Sequence, residues 1–343
     1  MKDNSSRPRV GLVGYGLAGR VFHAQLLQAA GFDVAAIVTT NAERIAQAVS
    51  DFPEASIRSA FAELLNDDLD LIVIASANSV HAEQAIGALQ AGIPAVVDKP
   101  MALNYAETQR IAQAAETTGI PVSVFYNRLW DSDTLTIRQA ISENVLGNLF
   151  RLDSRFERFR PTPNPSSWRE RDNFEAGGGT LLDLQSHLVS IALHLFGPAQ
   201  LVHSSVRSIR GYADDDVVLV LKHDSGMDSY LSASAIVGSP GPRVRLMGDK
   251  GALVIQELDP QEALLRQGVV PSEGAWQVPT ASEALLYRGE EVVVYPSVNG
   301  NYPHFYNAVL AALKGEGVWP TTVHQALAVA KILEEARKAS IHP

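Results

Sequence analysis

Arg9-Val10-Gly11-Leu12-Val13-Gly14-Tyr15-Gly16-Leu17-Ala18-Gly19 sets an apolar run directly before G-x-G-x-x-G, and a helical stretch from Arg20 to Ala30 follows. Strand, glycine-rich turn and helix in that order are the setting in which this motif binds a dinucleotide. Gly14 permits the tight turn, Gly16 removes a side chain where a pyrophosphate must approach the backbone, and Gly19 lets the helix lie close on the strand. The phosphates would sit at the helix N-terminus, around Leu17 and Ala18. Unpaired N–H groups and the positive end of the helix dipole receive an anion there without any basic side chain. An ordinary glycine-rich turn satisfies the motif as well, so the rest of the chain decides.

Asp33 to Val38 reads as the second strand, whose end is where an NAD-preferring fold places an acid for the ribose 2′-hydroxyl. Thr39, Thr40 and Asn41 stand there instead, with Arg44 just downstream. No carboxylate repels a 2′-phosphate and the threonine hydroxyls can donate to one, which favours NADP over NAD. The alternative is that Thr40 or Asn41 simply caps the next helix. Leu69 to Ile74 is nearly continuous in apolar residues, as expected of a parallel strand covered on both faces. It delivers Ala75 and Asn78 to the carboxyl end of the sheet, where cofactors lie in open α/β folds. His81, at the start of the helix His81 to Gln90, is either a cofactor contact or a partly exposed surface histidine. Ala95 to Val97 leads to Asp98-Lys99-Pro100. A helix from Tyr105 to Thr118 and a strand from Val122 to Phe125 then close a first domain, residues 1–125.

The 343 residues, 46% of them hydrophobic, suit a two-domain globular protein. Lys plus Arg total 28 against 38 Asp plus Glu, a net charge of −10, so neither nucleic acid nor a membrane is an expected partner. The absence of cysteine excludes disulfides, thiol nucleophiles and Cys-ligated metals, and no metal site is expected. The short polar stretch before Arg9 carries no apolar leader, which makes a cytoplasmic location the default.

Beyond residue 125 the hydrophobic period changes. Leu149 to Phe159 alternates, with Phe150, Leu152, Ser154 and Phe156 on one face and Arg151, Asp153, Arg155 and Glu157 on the other, as in a half-buried strand. Further strands are expected at Leu201 to Arg207, Val217 to Lys222, Tyr230 to Ile236, Arg243 to Met247 and Ala252 to Ile255, the last two joined as a hairpin. Strands without intervening helices predict a large, open, mostly antiparallel sheet with one exposed face, fit for a subunit interface. The series Arg155, Arg158, Arg160, Arg169 and Arg171 reads as a solvated face or interface rather than a phosphate site. Asp214-Asp215-Asp216 lacks calcium-loop spacing and reads as a turn.

Gly177-Gly178-Gly179-Thr180 opens a helix that runs to Phe196 and stops at Gly197-Pro198. Asp183 and His187, four residues apart, project from one face. A carboxylate near a histidine favours the imidazolium and keeps a proton acceptor titrating near neutrality. A surface ion pair would show the same spacing.

Together these stretches resemble the glucose-fructose oxidoreductase/inositol dehydrogenase (Gfo/Idh/MocA) family. Asp98-Lys99-Pro100 is similar to its Glu-Lys-Pro, and Gly178 to His187 to its second signature, with Gln185 where glycine is usual. Tyr126 to Asp133, Leu258 to Glu262 and Tyr302 to Tyr306 resemble the NADP-dependent scyllo-inositol dehydrogenase branch, which usually carries a second arginine at the position of Leu129. The resemblance implies a Rossmann domain joined to an open-sheet α/β domain, residues 126–343, whose final helices can return to the first domain. It implies a homodimer or homotetramer and substrate in the cleft between domains. It implies Lys99, Asp183 and His187 as catalytic residues, and Lys99 beside the cofactor as well. Asn127, Trp130, Trp168 and Arg169 are then candidates for holding substrate with that set.

The expected chemistry is hydride exchange between NADP, or NAD, and a carbinol carbon of a cyclic polyol or sugar, with scyllo-inositol the foremost candidate. His187 would take the hydroxyl proton, Lys99 would steady the alkoxide, and Asp183 would hold a substrate hydroxyl and the imidazole. A cofactor-binding regulator without turnover and an NAD-dependent redox-assisted glycosidase are the alternatives. The intact catalytic set disfavours the first, and the NADP preference disfavours the second.

Overall fold

A computed structural model describes residues 7–271 and 283–341; the opening residues 1–6 lie outside the described residues. β1 (Arg9–Val13) leads through the glycine turn into a π-helical stretch, Leu17–Ala24, continued by α1 (Gln25–Ala29). β2 (Asp33–Val38), α2 (Ala42–Asp51), β3 (Ser56–Arg58), α3 (Phe61–Leu64) and β4 (Leu71–Ile74) follow. α4 (His81–Gln90), β5 (Ala95–Asp98), α5 (Tyr105–Thr118) and β6 (Val122–Phe125) complete this half. The strands form one sheet in the order β3-β2-β1-β4-β5-β6, every neighbouring pair parallel. Strand order reverses between β1 and β4, which opens the crevice where such sheets bind ligands. β4 is buried on both faces along its length, because helices cover both sides of the sheet. Local signals agree with the tertiary order: the Asn104 side chain accepts from Glu107 N at the start of α5, and Gly119 ends it at φ 69°.

The second half runs α6 (Ser132–Ser142), β7 (Leu149–Glu157), α7 (Trp168–Arg171), α8 (Ser186–Phe196), β8 (Ala199–Arg207), β9 (Asp216–His223), β10 (Asp228–Ser234), β11 (Val244–Gly248) and β12 (Gly251–Ile255). It continues through α9 (Gln261–Arg266), β13 (Ala284–Arg288), β14 (Glu291–Tyr295), α10 (Pro303–Leu313) and α11 (Val323–Ile341). Its strands form a sheet ordered β14-β13-β12-β11-β7-β10-β9-β8. All its pairs are antiparallel except β7 with β10. α8 packs over β7 and β10, and α11 lies against both α8 and α5. Glu334 of α11 accepts from Tyr105 N at 3.0 Å, and Tyr306 of α10 bonds His23 Nδ1 at 2.6 Å. The last two helices thus clamp the halves together.

The fold class agrees with the sequence reading, and β2, α4, α5 and β6 coincide with it residue for residue. The first helix begins at Leu17 rather than Arg20, because the end of the glycine turn is itself helical. The short β3, the hairpin β13–β14 and the helices α6, α10 and α11 lie outside the elements that periodicity marked. The sheet is mostly antiparallel, as expected; its parallel pair is β7–β10, because β8 and β9, the strands between them in the chain, both lie outside β10. In β7 the alternation fails twice. Phe150 is 52% exposed at the strand's start, whereas Asp153 is buried on the outer face, where Arg151, Arg155 and Arg245 cover it. A charge ringed by three guanidinium groups is sheltered by its partners rather than by apolar neighbours.

Candidate active site

The glycine turn is shaped by backbone crowding. Gly14 has φ 93°, and a Cβ there would come within 2.6 Å of the Ala75 carbonyl oxygen; one at Gly19 would come within 2.0 Å of the Gly14 oxygen. Gly14 N donates to Val38 O at 2.9 Å and Ala75 N to Val13 O at 2.8 Å, which draws the ends of β1, β2 and β4 together. Among the described residues no side chain caps the helix that starts at Leu17. The amides of its first turn, at Leu17, Ala18 and Gly19, therefore present donors to the crevice. This cradle fits the pyrophosphate of a dinucleotide.

At the end of β2, Thr39 is buried and Thr40 exposed. Asn41 is the residue that caps α2, accepting from Arg44 N at 3.1 Å. The Arg44 guanidinium lies 3.7 Å from the place a Gly16 Cβ would take. Asn78 donates to Gly177 O at 3.4 Å and so ties the nucleotide sheet to the second glycine run. His81 departs from both sequence readings. It is fully buried, with Nδ1 3.0 Å from Pro100 O and Nε2 3.3 Å from Ser76 O, so it braces the two loops from beneath instead of facing a cofactor. Burial pulls its basicity down.

Lys99 leaves the end of β5 and donates to Asp183 twice, to Oδ1 at 2.9 Å and to the backbone oxygen at 2.7 Å. Arg169 Nε stands 3.4 Å from the same Oδ1 while its guanidinium stacks on Trp168, 4.4 Å from the ring. Burial alone would raise the Asp183 carboxyl, but the cations of Lys99 and Arg169 override it and hold the group well below the ordinary carboxylate range. Asp183 sits in a π-helical turn, Leu181–Gln185, that runs into α8. Such turns displace side chains from regular α-helical register. Asp214 holds the start of this turn. Its carboxylate accepts from Leu181 N at 2.6 Å and its backbone oxygen from Thr180 N at 2.9 Å. Its carboxyl is pushed up to about 6 by burial, against the Leu181 hydrogen bond. Asp215 is buried under Arg210 and Asp216 pairs with Arg207. The acidic run is therefore an anchoring knot, more than the turn read from sequence. Gln185, in place of glycine, is fully buried and donates to Val217 O and Leu231 O, both at 3.0 Å, pinning the helix to β9 and β10.

His187 corrects the imidazolium expectation. The Asp183 carboxylate is engaged by Lys99 and Arg169, and no hydrogen bond joins it to the His187 ring. His187 is 5% exposed, and its Nδ1 has no partner among the described residues. Burial first, then the charges of Lys99, Arg128 and Arg243, hold the imidazole neutral, well below its usual 6.5. Arg128 and Arg243 act from behind Phe156: their guanidinium carbons lie 4.8 and 4.0 Å from its ring centre, and the ring is 6.2 Å from that of His187.

Asn127 and Trp130 share the turn Asn127–Trp130, and both are buried. The Trp130 ring packs 5.5 Å from Phe305 and 6.0 Å from His304, which places it in the core rather than at a substrate. Its carbonyl accepts from Gln261 Nε2 at 3.1 Å. Arg128 pairs with Asp131 and Glu262, Tyr302 donates to Asp131 at 2.7 Å, and Arg243 pairs with Asp133 at 2.9 Å. The three stretches 126–133, 258–262 and 302–306 thus meet in one buried polar network. The sequence shows Arg243 as a strand start and Asp214 as part of a turn, and marks the pairing of neither. An arginine before a strand and an acid in a polar loop carry no periodic signal.

A phosphate cradle facing a lysine, an ionised aspartate and a neutral histidine has donors for a dinucleotide and groups to move a proton. That combination is an NAD(P)-dependent oxidoreductase. The chain belongs to the Gfo/Idh/MocA oxidoreductase family: residues 8–126 match its NAD-binding Rossmann fold and residues 138–342 its C-terminal alpha/beta domain. It is 32% identical to scyllo-inositol 2-dehydrogenase (NADP(+)) IolW of Bacillus subtilis (strain 168), over 97% of this chain and 93% of that protein. It is 33% identical to the oxidoreductase YdgJ of Escherichia coli (strain K12), over 100% of this chain and 98% of that one. The crystal structure of a Klebsiella pneumoniae protein named as an oxidoreductase superposes with a TM-score of 0.86 at 32% identity, covering 98% of this chain and 93% of that one. Among the described residues no helix is long and apolar enough to cross a membrane.

Proposed function

We propose that the protein oxidises a secondary hydroxyl of a cyclic polyol or sugar to a ketone, reversibly and with NADP preferred, and that scyllo-inositol is the first substrate to test. The observation that carries the reading is the Lys99–Asp183 pair beside a neutral His187. NADP, when bound, supplies the group that exchanges hydride. His187 is ready to accept the hydroxyl proton, because a neutral imidazole needs no prior deprotonation. Its Nδ1 is buried and has no partner among the described residues, so Nε2 is the nitrogen left to face the substrate. Lys99, held by Asp183, directs positive charge at the oxygen that becomes an alkoxide. Asp183, kept ionised, orients Lys99 and leaves an oxygen lone pair for a neighbouring hydroxyl.

NADP is favoured by the absence of an acid at the end of β2 and by Arg44, whose guanidinium has no ion-pair partner among the described residues and overhangs Gly16. The relative IolW, named as NADP-dependent, supports the same choice. The domain division falls at residue 125, with α10 and α11 packing on both halves. Register places Tyr230, Val292 and Val294 on the outer face of the second sheet, each exposed, which supports a homodimer or homotetramer through that face; sedimentation tests it.

Initial rates of nicotinamide reduction with NADP and with NAD, against scyllo-inositol, other inositols, aldoses and sugar acids, test the function. Turnover with NADP on at least one member is the expected result. Cofactor binding with no turnover across the panel would overturn it.

A further inference from the structure

We propose that Arg158 is an oxyanion clamp in the substrate cleft, so that the polyol or sugar this enzyme takes best carries a carboxylate or phosphate group. Arg158 directly follows β7, two residues after Phe156, whose ring packs on His187. The strand pairing persists there, with Arg158 N donating to Ser234 O at 3.0 Å and Val237 N to Arg158 O at 3.1 Å. Alternation therefore puts Arg158 on the same face as Phe156, one step further along the cleft. Its guanidinium feels Asp183, Glu262, Arg128 and Arg160.

None of these acids is available to it. Asp183 is engaged by Lys99 and Arg169, and Glu262 by Arg128 and Arg266. Neither Arg158 nor Arg160 has an ion pair or side-chain hydrogen bond among the described residues, although Arg158 is half-buried. Lys99, Arg158 and Arg169 thus converge on the Asp183 carboxylate, with Arg160 near Arg158, a local excess of positive charge on a chain of net charge −10. A guanidinium partly stripped of water and left unpaired is costly. A ligand that brings the missing oxyanion offsets that cost, and the planar fork of arginine matches carboxylate and phosphate alike. A neutral ring would leave Arg158 unpaired.

The inference rests on the cleft being a polyol or sugar site, and binding separates the two claims: turnover reads the reaction, affinity reads the clamp. The protein–NADPH complex is titrated calorimetrically with D-glucuronate, D-glucose 6-phosphate, D-glucose and scyllo-inositol. At least one anionic sugar is expected to bind about tenfold to hundredfold tighter than the neutral rings, and whichever does so names the group as carboxylate or phosphate. In Arg158→Gln that ratio should collapse towards one, and in Arg158→Lys it should be partly kept, since charge remains and the fork is lost. NADPH binding by each variant verifies its fold, and if Arg158→Gln does not hold NADPH, the partial loss in Arg158→Lys carries the test. Equal affinity for all the sugars, absence of binding by both anions, or an anion preference that neither variant lowers overturns the clamp even if neutral polyols are turned over.

Discussion

The Lys99 ammonium reaches across 84 positions of sequence to lie 2.9 Å from the Asp183 carboxylate, and it bonds the backbone oxygen of the same residue. One side chain from the nucleotide-binding sheet thereby closes on the first turn of the helix carrying His187. Each half of the chain supplies part of the proposed site, and neither half has it alone.

Lys99→Met and Asp183→Asn should each lower turnover by roughly 10²–10⁴, the usual worth of positioned acid–base and electrostatic help. NADPH affinity, read by fluorescence titration, should stay within a few-fold of the parent. Parent-like turnover in either variant would remove these residues from the mechanism.

The pH dependence follows from His187, whose folded-state value lies well below 6.5. The kcat/KM profile for alcohol oxidation should be flat through pH 6.5, with its acid limb displaced downward. Stability has the same origin. The unfolded chain takes up the His187 proton first as pH falls, so this contribution is complete above about 6.5 and erodes below it. Thermal unfolding between pH 7.5 and pH 5 should show a smaller drop in His187→Gln than in the parent.

Arg44→Ala should weaken NADP binding about tenfold or more while changing NAD binding little, because only the former offers a 2′-phosphate to a guanidinium. The ratio of kcat/KM for the two cofactors reads this directly. An unchanged ratio would move the 2′-phosphate contact to the Thr39–Thr40 hydroxyls.

Asp214→Ala should cost about 1–2 kcal/mol, the ordinary worth of a helix-start acceptor, measured by urea unfolding. The Asp214 carboxyl is raised to about 6, so its protonated form is favoured by folding. That part of the stability is full below about 3.8 and is lost as pH rises through about 6. Asp214→Asn should remove this slope while retaining an acceptor for Leu181 N.

Gln185→Gly, which restores the family's usual residue, should destabilise by about 1–3 kcal/mol, because the carbonyls of Val217 and Leu231 lose their donor in a buried place. Calorimetric unfolding would show it.

The chain by itself determined the nucleotide-binding half. Continuous apolar strands, glycine at the turn and Asn104 and Gly119 at the ends of α5 are local signals, and local physics alone is enough to obey them. It also marked Lys99, Asp183 and His187, and resemblance assigned their roles. Tertiary structure decided their electrical state. The carboxylate that spacing offered to His187 is occupied by Lys99 and Arg169. Burial, with Arg128 and Arg243 behind Phe156, then makes the imidazole neutral instead of charged. Local sequence marks His81 and Trp130 as surface or ligand groups, yet they lie in the core, and alternation puts Asp153 at the solvent face, yet arginines enclose it. Burial and charge pairing depend on residues distant in sequence that meet only in the folded chain, so no window along the sequence contains them.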